Sequence, residues 1–149
     1  MIEINNLTTN PVDGSLVKKV AQTVLEGENK KETDLSIAFV GQGRMRELNK
    51  KYLGKNRTTD VLSFSEKDAK GKSASISGGL GEVIISSRDV KKNAKRYGIS
   101  YERELVKIII HGILHLLGYE HERFEKEAEK MLNRQEYYLG QLNTEYKQL

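Results

Sequence analysis

Apolar and polar positions along the chain follow two periods, one near two residues and one near 3.6. Ile2 and Ile4 alternate with polar neighbours and predict a short strand. Leu16, Val17, Val20, Val24 and Leu25 recur at helical spacing behind Asp13, a residue suited to cap a helix. Residues 35–40 (Leu-Ser-Ile-Ala-Phe-Val) read as a strand, which Gly41 and Gly43 break. Met45, Leu48, Tyr52 and Leu53 then mark a short helix with an apolar face. Residues 61–64 and 80–86 predict two further strands. The second carries Val83, Ile84 and Ile85 in succession, the pattern of a buried strand. Ser87 is placed to cap a basic helix that Gly98 ends. Ser100 is placed to cap the next, which runs to about Leu117 with Gly118 at its end. A last helix is expected from about Arg123 to Leu142, with Phe124, Ala128, Met131, Leu132 and Leu139 as its stripe. The polar, aperiodic stretch 67–79 reads as a loop. About four strands interleaved with about five helices predict one α+β (α/β-like) domain over residues 1–149, built on a small mixed sheet.

Composition narrows the chemistry. The 149 residues suit a single core, and no internal repeat or linker divides them. The absence of cysteine excludes disulfides, a thiolate nucleophile and a zinc site built on sulfur. The first residues carry no basic, apolar leader, and no apolar run approaches the ~18 residues of a membrane span. A soluble, cytoplasmic protein with no membrane partner is expected. The net charge of +4 is unevenly spread. Residues 44–57 hold Arg44, Arg46, Lys50, Lys51, Lys55 and Arg57 against Glu47 alone, and residues 88–107 form a second basic segment. Such segments permit an anionic partner without demanding one.

The candidate chemistry is concentrated in one place. All three histidines fall within His111-Gly112-Ile113-Leu114-His115-Leu116-Leu117-Gly118-Tyr119-Glu120-His121. Positions four apart stack on one helix face, about 5–6 Å apart at Cβ, so His111 and His115 can hold one metal ion. Gly118 can take a left-handed conformation, stop the helix and let the chain turn back toward His121. The helix is apolar on nearly all sides, from Val106 to Leu117, which marks it as buried. Two buried imidazoles need partners, because an unpaired polar group costs ~1–3 kcal/mol. Three neutral nitrogens suit one Zn²⁺, another divalent metal being the alternative, and leave a fourth position open for catalysis. A fourth ligand from Glu120 or Glu122 would make the site structural instead. The same histidine spacing occurs in metzincin peptidases, where a glutamate after the first histidine acts as base. Here that position is Gly112, which moves no proton.

These eleven residues closely resemble the signature H-G-x-L-H-L-x-G-Y-D-H of the YbeY family of rRNA maturation factors, metal-dependent endoribonucleases. Leu48-Asn49-Lys50-Lys51-Tyr52 followed by Thr59-Asp60-Val61-Leu62-Ser63-Phe64 resembles the family's L-N-x-x-Y…T-D-V-L-S-F block. Gly81-Glu82-Val83-Ile84-Ile85-Ser86 resembles its G-[DE]-I-x-I-S strand, and Glu125, Glu129 and Met131 fall in a similar C-terminal helix. Two positions depart. Glu120 stands where the family has Asp, and Leu53 where it has an arginine assigned to phosphate or transition-state charge. The resemblance implies a single-strand-specific endoribonuclease acting on rRNA or ribosomal particles, in rRNA maturation and ribosome quality control. It assigns His111, His115 and His121 to the metal. Lys55 and Arg57 become the candidate catalytic cations in place of the arginine, and Asp60 a residue fixing their loop. Glu120 becomes a candidate to orient a histidine or move a proton. Arg44, Arg46, Lys50 and Ser63 are candidates to contact substrate. A ribosome-associated RNA-binding factor with a structural zinc, and a zinc peptidase, are the alternatives.

Overall fold

A computed structural model describes residues 1–66, 79–119 and 125–145. The elements run β1 (Ile2–Asn6), α1 (Gly14–Gly27), β2 (Leu35–Val40), α2 (Gln42–Leu53), β3 (Val61–Ser65), β4 (Gly81–Ser86), α3 (Ser87–Tyr97), α4 (Tyr101–Leu116) and α5 (Glu125–Glu145). The sheet order is β1-β2-β4-β3. β1 and β2 are parallel, β2 and β4 are parallel, and β3 runs antiparallel to β4 with Ser63 opposite Val83. This is the α+β architecture with a small mixed sheet that the patterning predicts.

Every residue of β2 is buried, as its unbroken apolar run requires of a central strand. Alternation then sorts the side chains onto two faces. Leu35, Ile37 and Phe39 join Val83 and Ile85 of β4 under α1, α3 and α4 in the main core. Val40, Ile84 and Leu62 point the other way and meet Met45 and Leu48 of α2. α4 lies centrally, packed against α1, α3, α5 and the β3–β4 pair. Its side chains from Leu105 to Leu116 are buried nearly all round. At roughly 1.5–3 kcal/mol for each fully buried large side chain, this helix anchors the domain.

Several local expectations change. The cap of α3 is Ser86, whose hydroxyl accepts from the Asp89 N–H at 3.3 Å, while the buried Ser87 hydroxyl has no partner among the described residues. β2 ends at Val40 as expected, with Gly41 the cap residue of α2, while Gly43 lies inside that helix. The buried stripe of α5 is Met131, Gln135, Tyr138 and Leu142, spaced by four, three and four residues; Leu132, one position round, is exposed. Tyr52 and Leu53 are half exposed because Met45 and Leu48 already fill the contact with the sheet. The expected loop at 67–79 falls outside the described residues except for its last position, and so does Phe124.

Candidate metal centre

α4 brings His111 and His115 together, as their spacing requires. Their ring centroids are 4.8 Å apart with planes at 74°, both side chains are partly exposed, and His115 lies in the last turn of the helix. The negative end of the helix dipole favours a cation there. α5 adds a partner that the chain pattern does not reveal. His111 Nδ1 lies 3.1 Å from Gln135 Oε1, and Gln135 is buried. With the amide oxygen accepting, Nδ1 is the donor, which fixes the orientation of the ring. Metal-binding histidines are commonly oriented this way.

Gly118 takes φ 100°, a left-handed backbone that ends α4, as expected. Tyr119 is then tied down twice. Its N–H donates to the Leu114 carbonyl at 3.1 Å, and its hydroxyl donates to Glu28 Oε1 at 2.7 Å. Glu120 and His121 lie outside the described residues. Among the described residues no group of three His, Asp or Glu side chains is placed to share a metal ion.

Gly112 is more than a missing base. A Cβ built on it would lie 2.8 Å from Val83 Cγ1 and 3.3 Å from Ser63 Oγ and Val61 Cγ2. The position faces the sheet, so a peptidase-type glutamate has no room there. Ser63 donates its hydroxyl to the Gly112 carbonyl at 3.0 Å, which stitches β3 to α4 beside His111.

The basic candidates gather on the other face of the sheet, around α2. Arg44 pairs with Glu47 at 3.3 Å on the surface. Arg46 Nε donates to Asn56 Oδ1 at 2.9 Å. The buried Asn49 amide donates to the Arg57 carbonyl at 2.9 Å, and the Lys55 N–H donates to the Asn49 carbonyl. The segment after α2 therefore folds back on the helix end, and Lys50, Lys55 and Arg57 are exposed beside it. The same segment is fastened to α3. The Asp89 carboxylate accepts from Thr58, Ser86 and Gln42, and the Asp60 carboxylate accepts from Asn93. Asp60 thus ties the entry to β3 to α3.

A part-buried network joins α1, α5 and the end of α4. Glu28 accepts from the hydroxyls of Tyr119 and Tyr138 and from Arg134 Nε and Nη2, the last at 2.7 Å. Burial pushes the Glu28 carboxyl up, but hydrogen bonds from Tyr138, Tyr119 and Arg134 outweigh it and hold the group below its ordinary value. On α4, Glu104 goes the other way. Burial raises it and Asp60 adds to the rise, which Lys107 only partly offsets.

The family model for Endoribonuclease YbeY matches residues 3–143 of this chain. The chain belongs to that family. Its relatives include the Endoribonuclease YbeY of Persephonella marina, 41% identical over 122 residues that cover 80% of this chain and 77% of the relative. The Endoribonuclease YbeY of Petrotoga mobilis is 37% identical, covering 93% and 92%. Among solved structures, that of TM1509 from Thermotoga maritima superposes with a TM-score of 0.68 at 27% identity, covering 99% of this chain and 92% of that one. Within the YbeY frame, the position where the motif carries arginine is Leu53, half exposed at the end of α2. Gln135 and Glu28 escape a reading of the chain because their partners are 24 and more than 90 residues away. Neither falls in a motif; only the docking of α5 on α1 and α4 creates their roles.

Proposed function

We propose that this chain is a metal-dependent endoribonuclease that cleaves single-stranded RNA in rRNA maturation and ribosome quality control, in the cytoplasm. Membership of the YbeY family over nearly the whole chain supports the reaction class. The observation that carries the metal is the His111–His115 pair on one face of α4, with Gln135 against Nδ1 of His111. Two imidazoles with no thiolate nearby suit Zn²⁺, another divalent ion being the alternative. His111 and His115 would hold it, with His121 as third ligand by the spacing of the motif. Such an ion supplies Lewis-acid stabilisation of the negative charge that develops on phosphate oxygens.

The chain's own residues do the rest. Lys55 and Arg57, exposed on a segment fastened to α2 and α3, neutralise phosphate charge in the role that Leu53 cannot fill. Arg44, Arg46 and Lys50 hold the RNA backbone through charge, with little sequence preference. Ser63 keeps β3 against α4 through the Gly112 carbonyl and so fixes one wall beside His111. Glu120 moves a proton or orients a ligand. No described helix is long and apolar enough to cross a membrane. The crowding of Gly112 against Val83 speaks against the peptidase alternative.

The test is elemental analysis of the purified protein together with cleavage of single-stranded RNA before and after chelation. One divalent ion per chain is expected, with activity lost on chelation and in His115→Ala. Gln135→Leu should weaken metal binding by about 10–100-fold. Full cleavage by metal-free protein would overturn the metal's role. Bound metal without any cleavage would favour the structural-zinc alternative.

A further inference from the structure

The end of α2 presents apolar surface that folding leaves open. Tyr52 is 50% exposed and Leu53 54%. The Tyr52 ring lies 5.0 Å from Phe64 on β3 with planes at 60°, although the two are twelve residues apart in sequence. Lys51 Nζ stands 5.3 Å from the centroid of the Tyr52 ring. The return of the chain at Lys55–Arg57, pinned by Asn49, brings the strongly basic segment 44–57 around this same helix end. An exposed aromatic ring, braced by a second ring and bordered by exposed surface cations, matches a polyanion that carries flat apolar groups.

We propose that Tyr52, braced by Phe64, is a stacking platform for a base of single-stranded RNA, with Lys51, Lys55 and Arg57 holding the flanking phosphates. The inference rests on the nuclease reading above and gives it a substrate subsite. A tyrosine face stacks on any base, so the platform supplies affinity without a sequence code. Its size also favours a nucleotide over a protein partner. Three apolar side chains cover one base, whereas a stable protein interface needs roughly 20–30 residues a side. The position suits the chemistry. Phe64 follows Ser63 on β3, and successive side chains point to opposite faces of a strand. Ser63 reaches the Gly112 carbonyl next to His111, while Phe64 reaches Tyr52. β3 is the last strand of the sheet, so one edge strand separates the platform from the histidine pair. RNA crossing that edge lays a base on one side and its backbone toward the other.

The experiment is an abasic scan. Binding of a 2′-O-methyl RNA oligonucleotide is measured by fluorescence anisotropy, alongside copies carrying one abasic site at each position in turn. Wild type should lose about tenfold in affinity when the stacked base is missing, and much less elsewhere. Tyr52→Ala should lose about tenfold on intact RNA and become indifferent to that abasic site, while Tyr52→Phe restores both. On cleavable RNA, Tyr52→Ala should raise KM and leave kcat close to wild type. Lys55→Ala should lower the salt dependence of binding without changing the abasic pattern. If Tyr52→Ala binds RNA as tightly as wild type, the platform is wrong and the nuclease reading stands. If Tyr52→Ala instead changes the mass of the protein in solution, the patch is a protein interface and the platform is again wrong. If wild type binds no single-stranded RNA at all, both fall together.

Discussion

Replacing Glu28 by Gln removes one charge and almost no volume, so its cost measures the network rather than a cavity. The carboxylate receives four donors: the hydroxyls of Tyr119 and Tyr138, and Nε and Nη2 of Arg134. The Glu28 side chain is 11% exposed and that of Arg134 33%. Breaking a buried ion pair by removing one partner costs about 3–5 kcal/mol. Arg134 keeps a third of its surface in water and recovers part of that loss by solvation. The amide still accepts at one oxygen, but its NH₂ group meets a donor at the other. These corrections leave about 2–3 kcal/mol. At about 2–4 °C per kcal/mol for a domain of this size, the midpoint should fall by about 4–12 °C. Urea unfolding followed by circular dichroism, with an unchanged slope, gives the free energy directly. The pH dependence supplies an independent check. The folded carboxyl titrates below its ordinary value, so its stabilisation is complete above about pH 4–5 and is lost as pH falls through the folded value. Gln does not titrate. The gap between wild type and Glu28→Gln should therefore be widest near neutral pH and close in acid. A gap under about 1 kcal/mol at neutral pH, or one that persists unchanged to about pH 3, would refute the reasoning.

Two other substitutions probe α4. Gly112→Ala should destabilise by about 1 kcal/mol, because overpacking against Val83 at 2.8 Å outweighs the helix preference of alanine over glycine. A stabilised variant in chemical denaturation would show that the helix has room to move. Glu104→Gln should raise stability at neutral pH by about 0.5–1 kcal/mol, because burial works against the charged carboxylate despite Lys107 at 3.7 Å. Its folded pKa is raised, so the penalty grows as pH climbs past the unfolded value and is absent in acid. An advantage that is as large at about pH 3 as at pH 7 would contradict this.

The chain pattern determined the elements and the histidine pair. A helix repeats every 3.6 residues whatever surrounds it, so His111 and His115 had to share a face, and a helix apolar on all sides had to be buried. The unbroken run of β2 likewise required cover on both faces of the sheet. Only the tertiary structure decided the rest. Gln135 reaches His111, Glu28 gathers Tyr119, Arg134 and Tyr138, and Phe64 meets Tyr52, because elements distant in the chain dock on one another. Periodicity can say which side of a helix is apolar, but not that Leu132 and Leu53 face water while Tyr138 and Gln135 are enclosed. That choice depends on how much apolar surface the opposing element still has uncovered, a quantity no local pattern contains.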